Sequence, residues 1–132
     1  KMIEKKELKR IARARLKDAI ILFEQKRYDG TIYLCGYSIE LALKYRICKT
    51  LRWDSFPETH NDFKKYGTFK THDLEVLLHI SGIESKIKKE NFSDWSIVSN
   101  WNPERRYQTI GKTDKLEAER MIFATEILLK KL

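Results

Sequence analysis

The sequence predicts an all-α fold, a single compact bundle of four to five helices spanning residues 1–132. Three observations carry that expectation. Apolar residues recur every three or four positions along nearly the whole chain. Alternation of the kind that builds strands never lasts more than a few residues. Only 5 Gly and 2 Pro occur in 132 residues, too few for a turn-rich β architecture. With 42% hydrophobic residues, a chain of this length forms one domain with a real core. Short connections favour mostly antiparallel neighbours.

The first segment runs from Glu4 to Lys26. Leu8, Ala12, Leu16, Ala19 and Phe23 form one apolar stripe, and Arg10, Arg13 and Lys17 fall roughly opposite. That basic face reads as solvated surface. Tyr28-Asp29-Gly30 interrupts the helix, and the second segment spans Asp29 to Leu51. Ile32, Gly36, Ile39, Leu43 and Ile47 share one face; Leu34, Leu41, Tyr45 and Cys48 share the other. A helix that is apolar on two sides is sandwiched between neighbours. Gly36 costs about 1 kcal/mol of helix propensity relative to Ala, so a close approach is expected there, from another helix.

Arg52 to Lys70 reads as an irregular connection, punctuated by Pro57 and Gly67. Thr71 or Asp73 caps a helix carrying Leu74, Leu77 and Leu78, which stops at Ser81-Gly82. A short helix follows over Ile83–Glu90, and a further turn or two over Asp94–Trp101 ends at Pro103. The last helix starts at Asp114, with Glu117 in the capping-box position. Its core stripe is Ala118, Met121, Ile122, Thr125, Leu128, Leu129 and Leu132. Leu116, Phe123 and Ile127 lie on the far side, which a monomer would leave wet. Together with the two-faced second helix, this surplus motivates a homodimer with Phe123, Ile127 and Leu116 at the interface.

Charge and cysteine usage narrow the function classes. With 27 basic and 19 acidic side chains the net charge is +8, which favours polyanionic partners, a nucleotide or RNA among them. Cys35 and Cys48 are thirteen residues apart, roughly 20 Å along one helix, too far for a disulfide. Two such thiols with no clustered His do not form a zinc site, and no metal or cofactor is expected. No apolar run reaches the roughly 20 residues of a membrane span. The charged, helix-patterned stretch from Lys1 to Arg15 is not an apolar leader, so the expected location is cytoplasmic, with no membrane partner. The phosphate-binding loops of ATPases and dehydrogenases, the zinc-protease helix and the serine-hydrolase elbow are all absent.

Three stretches remain: Gly36-Tyr37-Ser38-Ile39-Glu40-Leu41-Ala42-Leu43-Lys44, then Thr71-His72-Asp73-Leu74, then Trp101-Asn102-Pro103-Glu104-Arg105-Arg106-Tyr107. Their order and spacing resemble the HEPN family, the higher eukaryotes and prokaryotes nucleotide-binding domain, from about Ala14 to the C-terminus. The resemblance implies a helical bundle that is often dimeric, with its polar cluster at the seam. It also implies frequent association with minimal nucleotidyltransferases in toxin–antitoxin and phage-defence systems. Active members are metal-independent RNases that use an Arg followed, about four to six residues later, by a His.

That pair is missing here as written. Arg52 precedes His60 with seven residues between them, no Arg stands at the right distance before His72 or His79, and no His follows Arg105 or Arg106. The expected function is therefore a nucleotide- or RNA-binding module rather than an enzyme, working with a nucleotidyltransferase. The alternatives are an RNase toxin with a non-standard site of His72, Arg105 and Arg106, or an antitoxin-like subunit acting by contact alone.

The ligand-binding candidates are Arg105, Arg106, Tyr107, Glu40 and Lys44. Guanidinium forks match phosphates and Tyr107 stacks on a base. Trp95 and Trp101 stand at six-residue intervals before Tyr107 and serve either that stacking row or the core. Glu40 orients a basic residue or a ribose, or else pairs with Lys44 four residues on, or with Arg106. His72 is the one catalytic candidate, because an imidazole suits proton transfer; its alternative is a hydrogen bond at the helix start. His79 reads as a surface residue.

Overall fold

In a computed structural model, the chain is described over residues 2–57, 71–107 and 110–132, leaving out the side chains of Met2, Arg105 and Arg106. A short strand β1 (Met2–Glu4) leads into α1 (Lys5–Glu24) and α2 (Tyr28–Leu51). Strand β2 (Ser55–Pro57) precedes α3 (Leu74–Ser81), α4 (Glu84–Glu90) and α5 (Phe92–Val98). A 3-10 turn (Pro103–Tyr107) and α6 (Lys115–Lys131) complete it. The all-α expectation is borne out. The described residues hold six α-helices, against four to five expected, because the turn or two read over Asp94–Trp101 is a helix of its own, α5, which starts earlier, at Phe92.

Each boundary has a local cause. Asp73 Oδ1 accepts from the backbone N–H of Glu75 (2.9 Å) and Val76 (3.3 Å), and Gly82, at φ +82°, ends α3 in the left-handed region. Asp114 Oδ1 accepts from Glu117 N–H at 2.8 Å and starts α6. The three residues between α1 and α2 reverse the chain, so these two helices lie back to back. Ser38 Oγ donates to the Ala12 carbonyl (2.6 Å) and Thr31 Oγ1 to that of Ala19 (3.2 Å), pinning the pair through buried bonds.

The central place read for α2 is correct: it packs on α1, α3 and α6. Ile32, Gly36, Ile39, Leu43 and Ile47 are buried on one side, Leu41 and Cys48 on the other, with Leu34 and Tyr45 half-buried. Both apolar faces of α2 are thus covered within the protomer, which removes one of the two reasons for expecting a dimer. The other persists: Leu116, Phe123 and Ile127 on α6 are exposed, Phe123 by 59%.

Two local readings are corrected. The stretch read as irregular after Arg52 contains β2, which pairs antiparallel with β1 in the register Met2↔Pro57, Ile3↔Phe56 and Glu4↔Ser55. Three residues per strand are too few for alternation to show, and it is the burial of Phe56, 1% exposed, that fixes the register. Residues 58–70, with His60 and Gly67, lie outside the described set.

The close approach at Gly36 is also real, but no helix makes it. The indole of Trp101, in the segment after α5, lies on the glycine. A Cβ there would stand 2.1 Å from Trp101 Cγ. Tyr33 and Tyr37 hold the indole from the sides, at centroid distances of 6.0 and 6.3 Å.

Candidate functional site

The site grows from one stripe of α2. Gly36, Glu40 and Lys44 follow one another at four-residue steps, each advancing about 6 Å along the helix. At the first step, Gly36 admits the Trp101 indole, and the 3-10 turn that begins two residues later packs on α2. The segment bearing Arg105, Arg106 and Tyr107 is thereby anchored on the stripe that carries Glu40. Tyr107 is 72% exposed; the side chains of Arg105 and Arg106 lie outside the described set, and with them any pairing of Glu40 with Arg106.

At the second step stands the most unusual residue of the chain. Glu40 is only 1% exposed. A buried carboxylate is costly unless its oxygens are satisfied. Here both are: Lys44 Nζ donates to Oε2 at 2.9 Å, and His72 Nδ1 to Oε1 at 2.9 Å. The pairing with Lys44 follows from the i,i+4 spacing, as expected. The bond to His72 joins α2 to the threshold of α3, thirty-two residues on.

The helix-start role read for His72 is therefore wrong. Asp73 caps α3, Thr71 Oγ1 accepts from Asp73 N–H (3.0 Å), and the imidazole turns to Glu40 instead. Because a carboxylate only accepts, Nδ1 carries the proton of that bond. Nε2 then has no partner among the described residues, on a side chain that is 60% exposed. The arrangement is a carboxylate that sets the tautomer and orientation of an imidazole, beside an ammonium. Lys44 Nζ also lies 5.4 Å from the centroid of the Phe56 ring, which brings β2 to the third step.

Tyr37 belongs to the same neighbourhood. Burial, and then the negative charge of Glu40, push its hydroxyl above the ordinary phenol range, so it is a neutral donor at pH 7. It stands in the Gly36–Lys44 stretch of the sequence, one turn before Glu40. Of the aromatic row, Trp95 (2% exposed) and Trp101 (3%) are core rather than stacking surface. Trp95 Nε1 donates to Glu75 Oε1 at 2.5 Å, and only Tyr107 faces outward. His79 is a surface residue, as read, and bonds to Glu84 at 3.0 Å.

Among the described residues, no cluster of three or more His, Cys, Asp or Glu is placed to hold a metal ion. Cys35 and Cys48 are both free and buried, as their spacing required. Burial pushes the Cys35 thiol up to about 12 and the Cys48 thiol up to about 11, so neither serves as a nucleophile. No helix among the described residues is long and apolar enough to cross a membrane.

Residues 6–62 match the HEPN domain family. The resemblance read from Gly36 to Lys44 is borne out over that stretch, which takes in α1, α2, Glu40 and Lys44. The matched stretch starts earlier than Ala14 and stops before His72 and the Arg105–Tyr107 turn. No curated protein and no solved structure matches the chain.

Proposed function

We propose, with the HEPN match over residues 6–62 as the premise, that this chain is a nucleotide- or RNA-binding module whose site is the Glu40 stripe of α2. The observation that carries the reading is the buried Glu40 carboxylate, shared between Lys44 and His72. It holds a largely buried ammonium beside an exposed imidazole edge, on the stripe where the Arg105-Arg106-Tyr107 turn is anchored. Cationic donors next to an exposed aromatic suit a phosphate attached to a base. In this reading the chain works as a homodimer through Leu116, Phe123 and Ile127. A nucleotidyltransferase is its partner, in a toxin–antitoxin or defence setting.

The test is retention of labelled single-stranded RNA in the presence of EDTA, with cleavage scored in the same samples. Retention without cleavage is expected. Arg105→Ala combined with Arg106→Ala weakens it and flattens its salt dependence, because fewer counterions are released. No retention of RNA or of nucleotides at low salt refutes the reading.

One observation favours a second reading, a metal-independent RNase. A His whose Nδ1 is held by a carboxylate while Nε2 faces outward is the arrangement of an oriented general base or acid. Under it, RNA is cut in EDTA, and His72→Ala abolishes cutting while leaving retention intact.

A further inference from the structure

Half of one helix carries most of the chain's excess charge. From Lys5 to Lys17 seven basic side chains stand against one acidic, a net of +6 in a chain whose total is +8. Five of these cations, Lys5, Lys6, Lys9, Arg10 and Arg13, line a groove of about 310 Å³ with Tyr45 of α2. Within it, Lys6 is 3.6 Å from Glu4, and Arg10 is 2.6 Å from Glu7. Lys5, Lys9 and Arg13 have no ion pair among the described residues. Like charges gathered without counter-charge repel one another, a cost that an anionic partner removes.

The geometry points to a linear polyanion, and we infer that this groove binds the sugar–phosphate backbone of single-stranded RNA, as a surface separate from the Glu40 stripe. The inference rests on the RNA-binding reading above. Lys5, Lys9 and Arg13 recur at four-residue steps, so they form a row about 12 Å long on one face of α1. One phosphate cannot bridge that row, whereas consecutive phosphates of a strand can. The lining cations all come from α1 and follow its axis, a single line of charge that suits a single strand rather than a duplex.

Tyr45 is half-buried beneath the row, and Lys9 Nζ stands 5.1 Å from its ring centroid. The ring holds that ammonium at the groove instead of leaving it to swing in water. Tyr45 follows Lys44 by one residue but points about 100° away from it round α2, so the groove and the Glu40 stripe lie on different faces of that helix.

The experiment is fluorescence anisotropy of a dye-labelled oligouridylate, titrated from about 50 to about 200 mM salt. The wild-type log–log slope is expected at about −2 to −3.5, from three to five neutralised phosphates at roughly 0.7 each. Lys9→Ala combined with Arg13→Ala makes the slope shallower by about 1.4 and lowers low-salt affinity by at least about tenfold. Tyr45→Ala lowers affinity about two- to fivefold with little change in slope. Tyr45→Phe, which keeps the ring face, leaves affinity unchanged.

Lys9 and Arg13 are both exposed, so the double variant keeps the fold, with circular dichroism as the check. Lys9→Gln, with half the loss of slope, gives an independent second reading. An unchanged slope and affinity in these variants, while Lys44→Ala weakens binding, overturns the groove and leaves the Glu40 site standing. A wild type that binds no RNA overturns both. Tighter binding to duplex RNA or to phosphatidylserine vesicles, lost in the same variants, overturns the assignment to single strands.

Discussion

Replacing Gly36 with Ala tests the keystone of the site. In an exposed mid-helix position this change stabilises a protein by about 1 kcal/mol through helix propensity. Here the added methyl would lie 2.1 Å from Cγ and 2.2 Å from Cδ1 and Cδ2 of Trp101. Those atoms belong to a rigid ring that is 3% exposed and flanked by Tyr33 and Tyr37. The indole has no flexible end to swing aside and must leave its seat or push α2 away. Overpacking of this kind costs about 1–3 kcal/mol net of the propensity gain. At about 2.1 cal/mol/K per residue, the unfolding entropy of 132 residues is about 0.28 kcal/mol/K, so Tm falls by about 4–11 °C. Differential scanning calorimetry measures the shift, and near-UV circular dichroism reports the displaced tryptophan. RNA retention should fall with it, because the turn bearing Arg105 and Arg106 loses its anchor. Trp101→Ala supplies the control: in that background Gly36→Ala becomes neutral or stabilising by up to about 1 kcal/mol. A Gly36→Ala protein that melts at or above the wild-type temperature refutes the packing argument.

Glu40→Ala should destabilise by about 1–3 kcal/mol, since Lys44 loses its acceptor at a site where its side chain is only 14% exposed; Glu40→Gln, which keeps an acceptor, should cost less, both read by urea titration. Native Cys35 and Cys48 should react with a thiol reagent only after denaturant is added, because burial raises both thiols above their ordinary range. The same shifts make stability fall as pH rises from about 9, where unfolded thiols ionise, towards 11 for Cys48 and 12 for Cys35. The slope is at most about 1.4 kcal/mol per pH unit for each thiol, and a pH series of melts on a Cys35→Ala variant isolates the part due to that residue. Phe123→Glu should convert a wild-type dimer to monomer in light scattering with no loss of protomer stability. A monomeric wild type at micromolar concentration defeats the dimer, and an unfolded variant shows that Phe123 belongs to the core.

Local rules made the helical scaffold readable in the sequence. A 3.6-residue period marks a buried stripe whatever the neighbour is, so Leu8, Ala12 and Ala19 could be placed inside before any partner was known. Caps act within four residues, so Gly82 and Asp114 declared their helix ends, and the start of α3 was narrowed to Thr71 or Asp73. The i,i+4 pair of Glu40 and Lys44 was legible for the same reason. What crosses the chain was not. Gly36 announced a close contact but not its occupant, because a missing Cβ admits any flat surface, and the choice of Trp101 depends on how α5 and the 3-10 turn fold back over α2. Glu40 and His72 are thirty-two residues apart, and neither carries a mark of the other. Their bond exists because the burial of Leu74, Leu77 and Leu78 docks α3 against α2, while Asp73 takes over the cap and frees the imidazole. The basic face of α1 was visible as a charge run, yet a run has no shape. It became a groove only when Tyr45 of α2 was packed beneath Lys9, since concavity belongs to a pair of helices and not to either one alone.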